Sequence, residues 1–545
     1  MSFKSKKAII FGIIFLIFIF PYLSLADEYG QKQLFNVDQN YDALGRERIF
    51  AILIKVSQNA YFYIDEDYWA GLLSSQKEEV ANHLKDLANE FDTKIYPSLT
   101  SAFGFETKPG IDGDSKITVL LHQMKGEVGG YFREGDCFEK FQYPLSNQRE
   151  MVYLNLNFLK TSLIKPNLSH EFLHLITFNQ KNKILKVQEE TWLNELRAEI
   201  APTLLGYPDY LQKRVSLFLK NPQDALLDWQ NTTADYGVVS IFANYLYDYY
   251  GSKIFIDSIR SRETGILAVN EALKKSGFKE DFSQIFRNWL IATLVNDCAL
   301  GEKYCYQNQN LKSLRVLPEI NFSPMGGESI LTIFRTVKDF TPDWQKIVGG
   351  YGNLTLEFDG QNNALFDISY LTCDKFNSCQ IKFLTLDQNQ DGKISILDFD
   401  KNYSSLTLIP FSKTKTSGFD KENPYYNYSI KIAFNKKIEV KPSTSSVPTT
   451  TPTTIGCNQI LNNLRYGMKS NEVRCLQEFL RSQGTEIYPE GLVTGYFGPL
   501  TFSAVKRFQQ KYWQEILSPW GLNQNQPTGF VGSTTRAKIN TMIGG

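Results

Sequence analysis

The chain has 545 residues, more than one hydrophobic core organises, so two to four domains are expected. Hydrophobic residues make up 42% and charged residues 21%, which is ordinary for a soluble globular protein. Lys plus Arg and Asp plus Glu both number 58, so the formal net charge is zero. A neutral chain has no global field to recruit nucleic acid or an anionic membrane, and neither is expected as a partner.

The N-terminus has the pattern of a secretory signal peptide. Three lysines within the first seven residues precede an apolar run over residues 8–20, and small residues lead up to Ala26. The alternative is an uncleaved membrane anchor, but the run is shorter than the ~20 apolar residues of a spanning helix. We expect residues 1–26 to be removed, which leaves a secreted, extracellular chain without stable membrane insertion.

Residues 27–316 have the mixed pattern of an α+β domain. Apolar residues at helical spacing predict helices over 76–91, 234–250 and 282–294. The sequence KITVLLH predicts a strand over 116–122.

Residues 317–440 have a different texture. Short alternating or apolar runs such as NLTLEF and YSIKIAF are separated by Gly, Asn and Asp, which predicts a small antiparallel, β-sandwich-like accessory domain. Residues 441–456 form a Pro/Ser/Thr-rich linker that cannot build a core.

The linker separates a C-terminal module, residues 457–545, that contains an internal repeat. Thr-Gly-Tyr-Phe-Gly at 494–498 recurs as Thr-Gly-Phe-Val-Gly at 528–532, and each copy leads into a helical pattern. A further helical pattern precedes both copies. The module is therefore predicted to contain three short helices joined by Gly-rich turns.

Seven cysteines suit an oxidising compartment outside the cytoplasm. Six of them are near neighbours in sequence and form natural disulfide pairs: Cys298 with Cys305, Cys373 with Cys379, and Cys457 with Cys475. Cys137 is left over, and we expect it to be a buried free thiol.

The sequence HEFLH at residues 170–174 has the H-E-x-x-H pattern. Residues four apart share one face of a helix, so His170 and His174 can reach one zinc ion while Glu171 addresses the water beside it. Only four histidines occur in the chain and two fall in this pentad, which argues against a structural helix with two ordinary histidines. We predict a catalytic zinc site with Glu171 as the general base.

Two histidines leave the site incomplete, because catalytic zinc takes three protein ligands plus water. His83 and His122 lie far upstream and have plain roles, on the polar face of a helix and at the end of a strand. A downstream carboxylate is favoured, but Glu195 and Glu199 are four apart on one predicted helix and spacing does not choose between them. The glutamates at 189–190 are expected to be solvated.

Three further stretches carry a family resemblance: HEFLHLITFNQK, EETWLNE and ADYGVVSIFANYLYDYYG. They resemble the hyicolysin-type zinc metallopeptidases, of the H-E-x-x-H plus Glu class, and upstream segments extend the resemblance over about residues 37–305. It implies a zincin-type fold, with Glu195 as the third ligand and Tyr236 as a hydrogen-bond donor to the oxyanion. Tyr236 has the alternative role of a packing aromatic, and Leu196 replaces the Gly usual in the family.

The C-terminal module also carries a resemblance. Its segments GMKSNEVRCLQEFL, TGYFGPLTFSAVKRFQ and TGFVGSTTRAKIN are similar to the peptidoglycan-binding domain of many bacterial wall hydrolases. This resemblance implies that residues 457–545 anchor the chain to peptidoglycan. The alternative is a helical bundle that binds something else.

A last pattern concerns calcium. Between Asp387 and Asp398 the side-chain oxygens follow the order of a calcium-binding loop, with Gly392 at its sharp turn. The final residue is Asp rather than Glu and β-runs flank the loop, so a polar hairpin turn is the alternative.

Together these patterns predict a secreted, cell-wall-associated zinc endopeptidase that cuts protein or peptide substrates by a zinc-activated water with a Glu general base. One alternative is a hydrolase of peptidoglycan stem peptides, since the tail would hold it on that substrate. Another is a wall-binding protein with an inactive peptidase domain. The intact HEFLH sequence with Glu195 argues against that third hypothesis.

Overall fold

The computed structural model describes residues 26–323, 328–435 and 459–543. Two compact units form, one from residues up to 316 together with residues 416–422, and the other from residues 317–415 and those from 423 onwards. The expected signal peptide and the expected linker at 441–456 lie outside the described residues, Ala26 excepted. Within the described part of the chain, no helix has both the length and the apolar character needed to cross a membrane.

The first unit is built on a six-stranded mixed sheet with the order β1-β2-β3-β4-β6-β5. β3, β4 and β6 pair in parallel, and their residues are buried because both faces of the sheet are covered. β5 is antiparallel to β6 and forms one edge of the sheet. The strands are β1 Lys32–Asn36, β2 Arg48–Val56, β3 Ala60–Asp65, β4 Ile117–His122, β5 Gly130–Phe132 and β6 Met151–Asn155.

Ten α-helices of the first unit accompany this sheet in the described residues. The predicted helices over 76–91, 234–250 and 282–294 are α2, α7 and α10, and the predicted strand over 116–122 is β4. The helices are α1 Glu66–Ala70, α2 Ser74–Glu90, α3 Tyr96–Phe103, α4 Ile164–Thr177, α5 Thr191–Leu204, α6 Pro208–Lys220, α7 Thr233–Tyr250, α8 Lys253–Ile259, α9 Gly265–Lys275 and α10 Phe282–Val295. The mixed α+β character is confirmed.

Nine strands in two sheets follow, with the orders β13-β10-β15-β8 and β12-β11-β14-β9-β7. Apolar residues of both sheets share one buried core, as in a sandwich. The elements are β7 Glu319–Ser323, β8 Ser329–Val337, β9 Gln345–Gly349, β10 Asn353–Gly360, β11 Phe366–Cys373, β12 Cys379–Leu384, β13 Asp391–Ile396, α11 Phe399–Asn402, β14 Ser405–Ser412 and β15 Tyr426–Asn435.

The prediction of an antiparallel domain is wrong at one edge, where β7 and β9 pair in parallel. The strand between them, β8, belongs to the other sheet. The chain therefore crosses to the second sheet and returns, so that β9 runs in the same direction as β7. All the other strand pairs of the two sheets are antiparallel.

The C-terminal module has a buried apolar core of its own. The three predicted helices are present, and a further short helix, α14, follows the second of them. The helices are α12 Asn471–Ser482, α13 Pro499–Lys511, α14 Trp513–Ile516 and α15 Ser533–Ile543.

Two buried glutamines explain the internal repeat of the module. Gln477 of α12 donates to the Tyr496 carbonyl of the first repeat copy and to the hydroxyl of Thr501 just after it, and accepts from the Gly495 amide. Gln509 of α13 makes the same three bonds to the second copy, with Phe530, Thr535 and Gly529. Each Thr-Gly turn is thus fixed by a glutamine from the preceding helix.

Two of the predicted disulfides are confirmed, Cys298–Cys305 and Cys373–Cys379. Cys475 is also disulfide-bonded, but its predicted partner Cys457 lies outside the described residues. Cys137 is a buried free thiol, as expected.

Candidate metal centre

The predicted metal ligands come from two neighbouring helices. α4 presents His170 and His174 one turn apart on the same face. A π-helical turn, Phe178–Leu185, then continues α4 and ends at Lys186, whose positive φ of 61° reverses the chain. The chain returns as α5, which carries Glu195 five residues into the helix.

These side chains converge on one point. The two Nε2 atoms of His170 and His174 are 3.1 Å apart, and Oε2 of Glu195 lies 3.4 and 3.5 Å from them. The three form the only group of three or more His, Cys, Asp or Glu with metal-binding geometry in the described residues. Leu196, next to Glu195, is buried, and the Glu195 carboxylate still reaches the two histidines.

The geometry fits a zinc ion. Metal–ligand bonds of about 2.0–2.1 Å in a tetrahedron separate the ligand atoms by about 3.3 Å, which matches the three distances. Oε2 of Glu195 is buried and has no hydrogen-bond donor among the described residues. Such an atom is costly unless something else satisfies it, and a cation between the three side chains would do so.

The histidines and carboxylates of the cluster shift one another's pKa. Burial opposes the charged form of His170, but the carboxylates of Glu195, Glu171 and Glu199 outweigh it and raise the pKa of His170 to about 9. Burial would raise the pKa of Glu195, but His174 and His170 outweigh burial and hold that pKa well below its usual range. The pocket therefore stabilises a carboxylate beside imidazole nitrogens.

The other nitrogen of His170 is held by a separate network. Its Nδ1 lies 3.4 Å from Oε1 of Glu199 and 3.2 Å from the hydroxyl of Tyr210. Tyr210 donates to Glu199 at 2.7 Å, and Arg214 binds both oxygens of that carboxylate. Glu199 is thus turned away from the point where the three predicted ligands meet, and it fixes the orientation of the His170 ring.

Glu171 lies in the same cleft, against the edge strand β5. It is 6% exposed, and burial raises its pKa against the opposing effect of the two imidazoles. A Cβ on Gly130 would lie 2.9 Å from Cγ of Glu171 and 2.5 Å from the carbonyl oxygen of Tyr153. Only glycine at this position lets β5 pass so close to Glu171.

Tyr236, on α7, lines the cleft. Its ring lies 6.4 Å from the ring of His170, and the Trp229 ring and the Arg214 guanidinium pack against it. Its hydroxyl has no hydrogen-bond partner among the described residues. Burial raises the pKa of this phenol well above its usual value, so the hydroxyl keeps its proton. The hydroxyl is a donor available to a ligand in the cleft.

The cleft has a volume of about 730 Å³ and contains all five predicted site residues. It also contains residues that the sequence analysis did not identify, notably Tyr210, Arg214 and Gly130. The Tyr-x-x-x-Arg spacing on α6 was the available signal for the first two, since residues four apart share a helix face.

The other two histidines and the glutamates at 189–190 are not part of the cluster of predicted ligands. His83 is partly exposed beside Glu79 on α2, and His122 is buried against Asp42 at the end of β4. The expectation that residues 189–190 are solvated is wrong, since Glu189 and Glu190 are 4% and 6% exposed. Glu189 is buried because the cations Lys181 and Arg197 compensate its charge.

The predicted calcium loop has a local hydrogen-bonding role. Oδ1 of Asp387 accepts from the amides of Asn389 and Asp391, as in a polar turn. Asp398 precedes the short helix α11 and lies 3.3 Å from Lys401. Calcium binding by this loop stays a prediction.

Two histidines and one glutamate converge in a cleft with a buried glutamate beside them, an arrangement typical of metallopeptidase sites. The chain is similar to "Neutral metalloprotease ShpI" of Staphylococcus hyicus, with 27% identity over 223 residues, covering 35% of this chain and 48% of that protein. The chain thus spans about half the length of this curated relative. Residues 469–512 match the family model described as "Putative peptidoglycan binding domain".

Both predicted resemblances, to a metallopeptidase and to a C-terminal peptidoglycan-binding domain, are confirmed by these comparisons. Among solved structures, the pre-peptidase C-terminal domain of a Bacillus anthracis collagenase is 8% identical, covering 21% of this chain and 96% of that one, with a TM-score of 0.16. Aeromonas hydrophila PliG, a periplasmic lysozyme inhibitor, is 8% identical, with 22% and 98% covered and a TM-score of 0.15. Scores this low carry no argument about fold or function.

Proposed function

We propose that this chain is a secreted zinc endopeptidase that is held at the bacterial cell wall by its C-terminal module. The observation that carries the proposal is the convergence of three ligand atoms, 3.1 to 3.5 Å apart, in a cleft that also contains Glu171. The similarity to a neutral metalloprotease supports the same activity. The match of residues 469–512 supports binding to peptidoglycan.

His170, His174 and Glu195 would hold the zinc ion, and Glu199 with Tyr210 would keep the His170 ring in the required orientation. When bound, zinc supplies Lewis acidity that polarises the scissile carbonyl and activates water. The fixed positions of these side chains mean that the site needs little reorganisation during the reaction.

Glu171 would act as the general base and then as the general acid. It is the buried carboxylate next to the two histidines, and it lies against β5, where a substrate would run. It takes the proton from the attacking water and delivers it to the leaving amine. Gly130 keeps the approach between strand and carboxylate open.

Tyr236 would donate its hydroxyl to the oxyanion that develops on the scissile carbonyl, because that hydroxyl has no other partner in the described residues. β5 is an edge strand that lines the cleft, so an extended peptide can pair with its free side. Protein and peptide substrates in an extended conformation suit this arrangement.

One alternative substrate has a specific observation in its favour. The peptidoglycan-binding match on the same chain would hold the cleft near the stem peptides of the wall. A wall-binding protein without activity is disfavoured by the convergence of His170, His174 and Glu195 in a cleft that also contains Glu171.

The test uses the mature full-length protein. We expect one tightly bound zinc per chain by elemental analysis, loss of peptidase activity with a chelator, and recovery when zinc is added back. A casein-type substrate and purified peptidoglycan, assayed side by side, distinguish protein cleavage from stem-peptide cleavage. Full activity in zinc-free protein would contradict the proposed function.

A further inference from the structure

We propose that residues 416–422 are a positioning element for the metal-binding helix α5, with Asp420 as the residue that fixes its first turn. The inference rests on the proposed function, in which Glu195 of α5 is a metal ligand. Residues 416–422 lie between β14 and β15 in the chain, yet they belong to the compact unit that contains the metal centre.

The first contact is made at the start of α5. Both carboxylate oxygens of Asp420 accept from the backbone amide of Thr191, at 3.0 and 3.1 Å. Thr191 is the first residue of α5, and the residue before it, Glu190, makes no side-chain cap to the helix backbone. Asp420 therefore caps α5 from a position 229 residues away in sequence.

The second contact anchors the residue before the helix. Oε1 of Glu190 accepts from the backbone amide of Gly418, and Oε2 accepts from the indole of Trp192 at 2.7 Å. Phe419, between the two contact residues, is 3% exposed. The buried carboxylate of Glu190 thus links residues 416–422 to the first turn of α5, in addition to the contact made by Asp420.

These contacts bear on the metal centre through helix geometry. In an α-helix the amide of Glu195 bonds to the carbonyl of Thr191, four residues earlier. The first four amides of a helix have no partner within it, and the turn frays when they are left unsatisfied. A negative charge at this end also interacts favourably with the helix dipole. Loosening of Thr191 therefore removes the support that fixes the backbone of Glu195.

It follows that residues 27–316 alone do not contain every group that holds the metal-binding side chains in position. Asp420 touches neither the metal position nor any predicted ligand, so it is a positioning residue and not a catalytic one. Its effect should appear in metal affinity and coordination geometry, not only in the stability of the fold.

The experiment compares three variants of the mature full-length protein. Asp420→Ala removes the cap, Asp420→Asn keeps an oxygen that accepts the Thr191 amide, and Lys421→Ala alters an exposed neighbour in the same segment. Zinc affinity is measured by competition with a chelator, and coordination is read from the visible absorption of the cobalt-loaded protein. Thermal unfolding of each metal-free variant is recorded alongside.

We expect Asp420→Ala to bind zinc about tenfold more weakly and to change the cobalt spectrum. Loss of a group that supports a metal ligand typically has an effect of this kind. Asp420→Asn should stay within about twofold of the parent, because Asn caps helices about as well as Asp. Lys421→Ala should match the parent in every measurement.

The positioning role is overturned if Asp420→Ala keeps the parent's zinc affinity and cobalt spectrum, even if its unfolding temperature falls. It is also overturned if Asp420→Asn is as impaired as Asp420→Ala. A parent protein that takes up no zinc overturns the proposed function instead, and the Asp420 inference falls with it. The parent's zinc binding therefore distinguishes the two failures.

Discussion

Oε1 of Glu199 lies 3.4 Å from Nδ1 of His170, whereas Oε2 of Glu195 lies 3.4 Å from Nε2 of the same ring. The two glutamates thus address opposite nitrogens of one imidazole. Spacing along α5 leaves both as candidate ligands, but the Nε2 atoms of His170 and His174 face each other at 3.1 Å on the Glu195 side. The geometry supports Glu195 as the ligand and Glu199 as the group that orients the ring.

Glu195→Gln and Glu199→Gln are therefore expected to differ in zinc content. Glu195→Gln should strip the metal or weaken it severely, because it removes one of three ligands. Glu199→Gln should cost about 10- to 100-fold in affinity or activity, since Glu199 affects the metal only by orienting the His170 ring. Elemental analysis and chelator competition on both purified variants measure this.

The pair of variants controls for folding, because each replaces one carboxyl of α5 by an amide of the same shape. If the Glu199 variant arrives without zinc while the Glu195 variant keeps it, the assignment is wrong by one helical turn.

Glu171→Gln should separate metal binding from chemistry. Glu171 is not one of the three converging side chains, so the variant should keep one zinc per chain. It should lose about 10²- to 10⁴-fold in kcat, because no group remains to take the proton from water. Zinc content and steady-state kinetics on the same preparation test this. Parallel loss of metal and activity would assign Glu171 to the ligand set instead.

The convergence of the three predicted ligands could be anticipated from the sequence because it depends mainly on local geometry. His170 and His174 need only a helix to share a face, and Glu195 needed the resemblance to be chosen over Glu199. Spacing could show only that Tyr210 and Arg214 share a helix face; their contacts with His170 and Glu199, and the close approach of Gly130 to Glu171, arise from packing between elements distant in sequence. The burial of Glu190 depends on Gly418, 228 residues away, which no local pattern records.

The same contrast holds in the fold. The helices α2, α7 and α10 follow apolar periodicity, so their positions were predicted to within a few residues. β7, β8 and β9 were not predicted; in β7 the apolar Ile320 and Phe322 are exposed while Asn321 and Ser323 are buried, the reverse of the usual pattern. The parallel pairing of β7 with β9 depends on which sheet β8 joins, and strand periodicity carries no information about that.

Tyr236→Phe removes one hydroxyl from the cleft. We expect kcat to fall about 10²- to 10³-fold, as for loss of an oxyanion donor, while KM and zinc content stay near the parent values. Tyr207→Phe is a matched control, because its hydroxyl donates to Glu90 and Tyr207 does not line the cleft that contains the candidate metal centre. A Tyr236 variant with parental kcat would leave this tyrosine with a packing role alone.

Glu150 makes stability depend on pH. This carboxyl is 3% exposed, its Oε1 has no hydrogen-bond partner in the described residues, and burial raises its pKa from 4.5 to about 7. Because the folded-state pKa is raised, its contribution is fully present below about pH 4.5 and is lost as the pH rises through about 7. A charged Glu150 therefore destabilises the fold in alkaline solution.

Glu150→Gln should remove that dependence. The variant should gain up to about 3 kcal/mol in the free energy of unfolding over the parent near pH 8.5 and almost nothing near pH 4.5. Denaturant unfolding at both pH values measures the difference. Glu78→Gln is the control, because Glu78 is exposed on α2. A gain of equal size at both pH values would contradict the titration of Glu150.

Wall binding should depend on the fold of the C-terminal module and not on charge alone. Residues 457–545 contain nine Lys or Arg and five Asp or Glu, a net charge of +4, so adsorption to an anionic wall has to be separated from specific binding. The full-length protein should sediment with insoluble peptidoglycan and remain bound at about 0.5 M salt, where the Debye length is only a few ångströms.

Gln477→Leu removes the side chain that fixes the first Thr-Gly turn, so it should abolish sedimentation while cleavage of a soluble peptide continues at the parental rate. Gln524→Leu, at an exposed position of the same module, should sediment like the parent. Binding that disappears with salt in the parent, or that survives in Gln477→Leu with the module unfolded, would show that charge holds the protein to the wall.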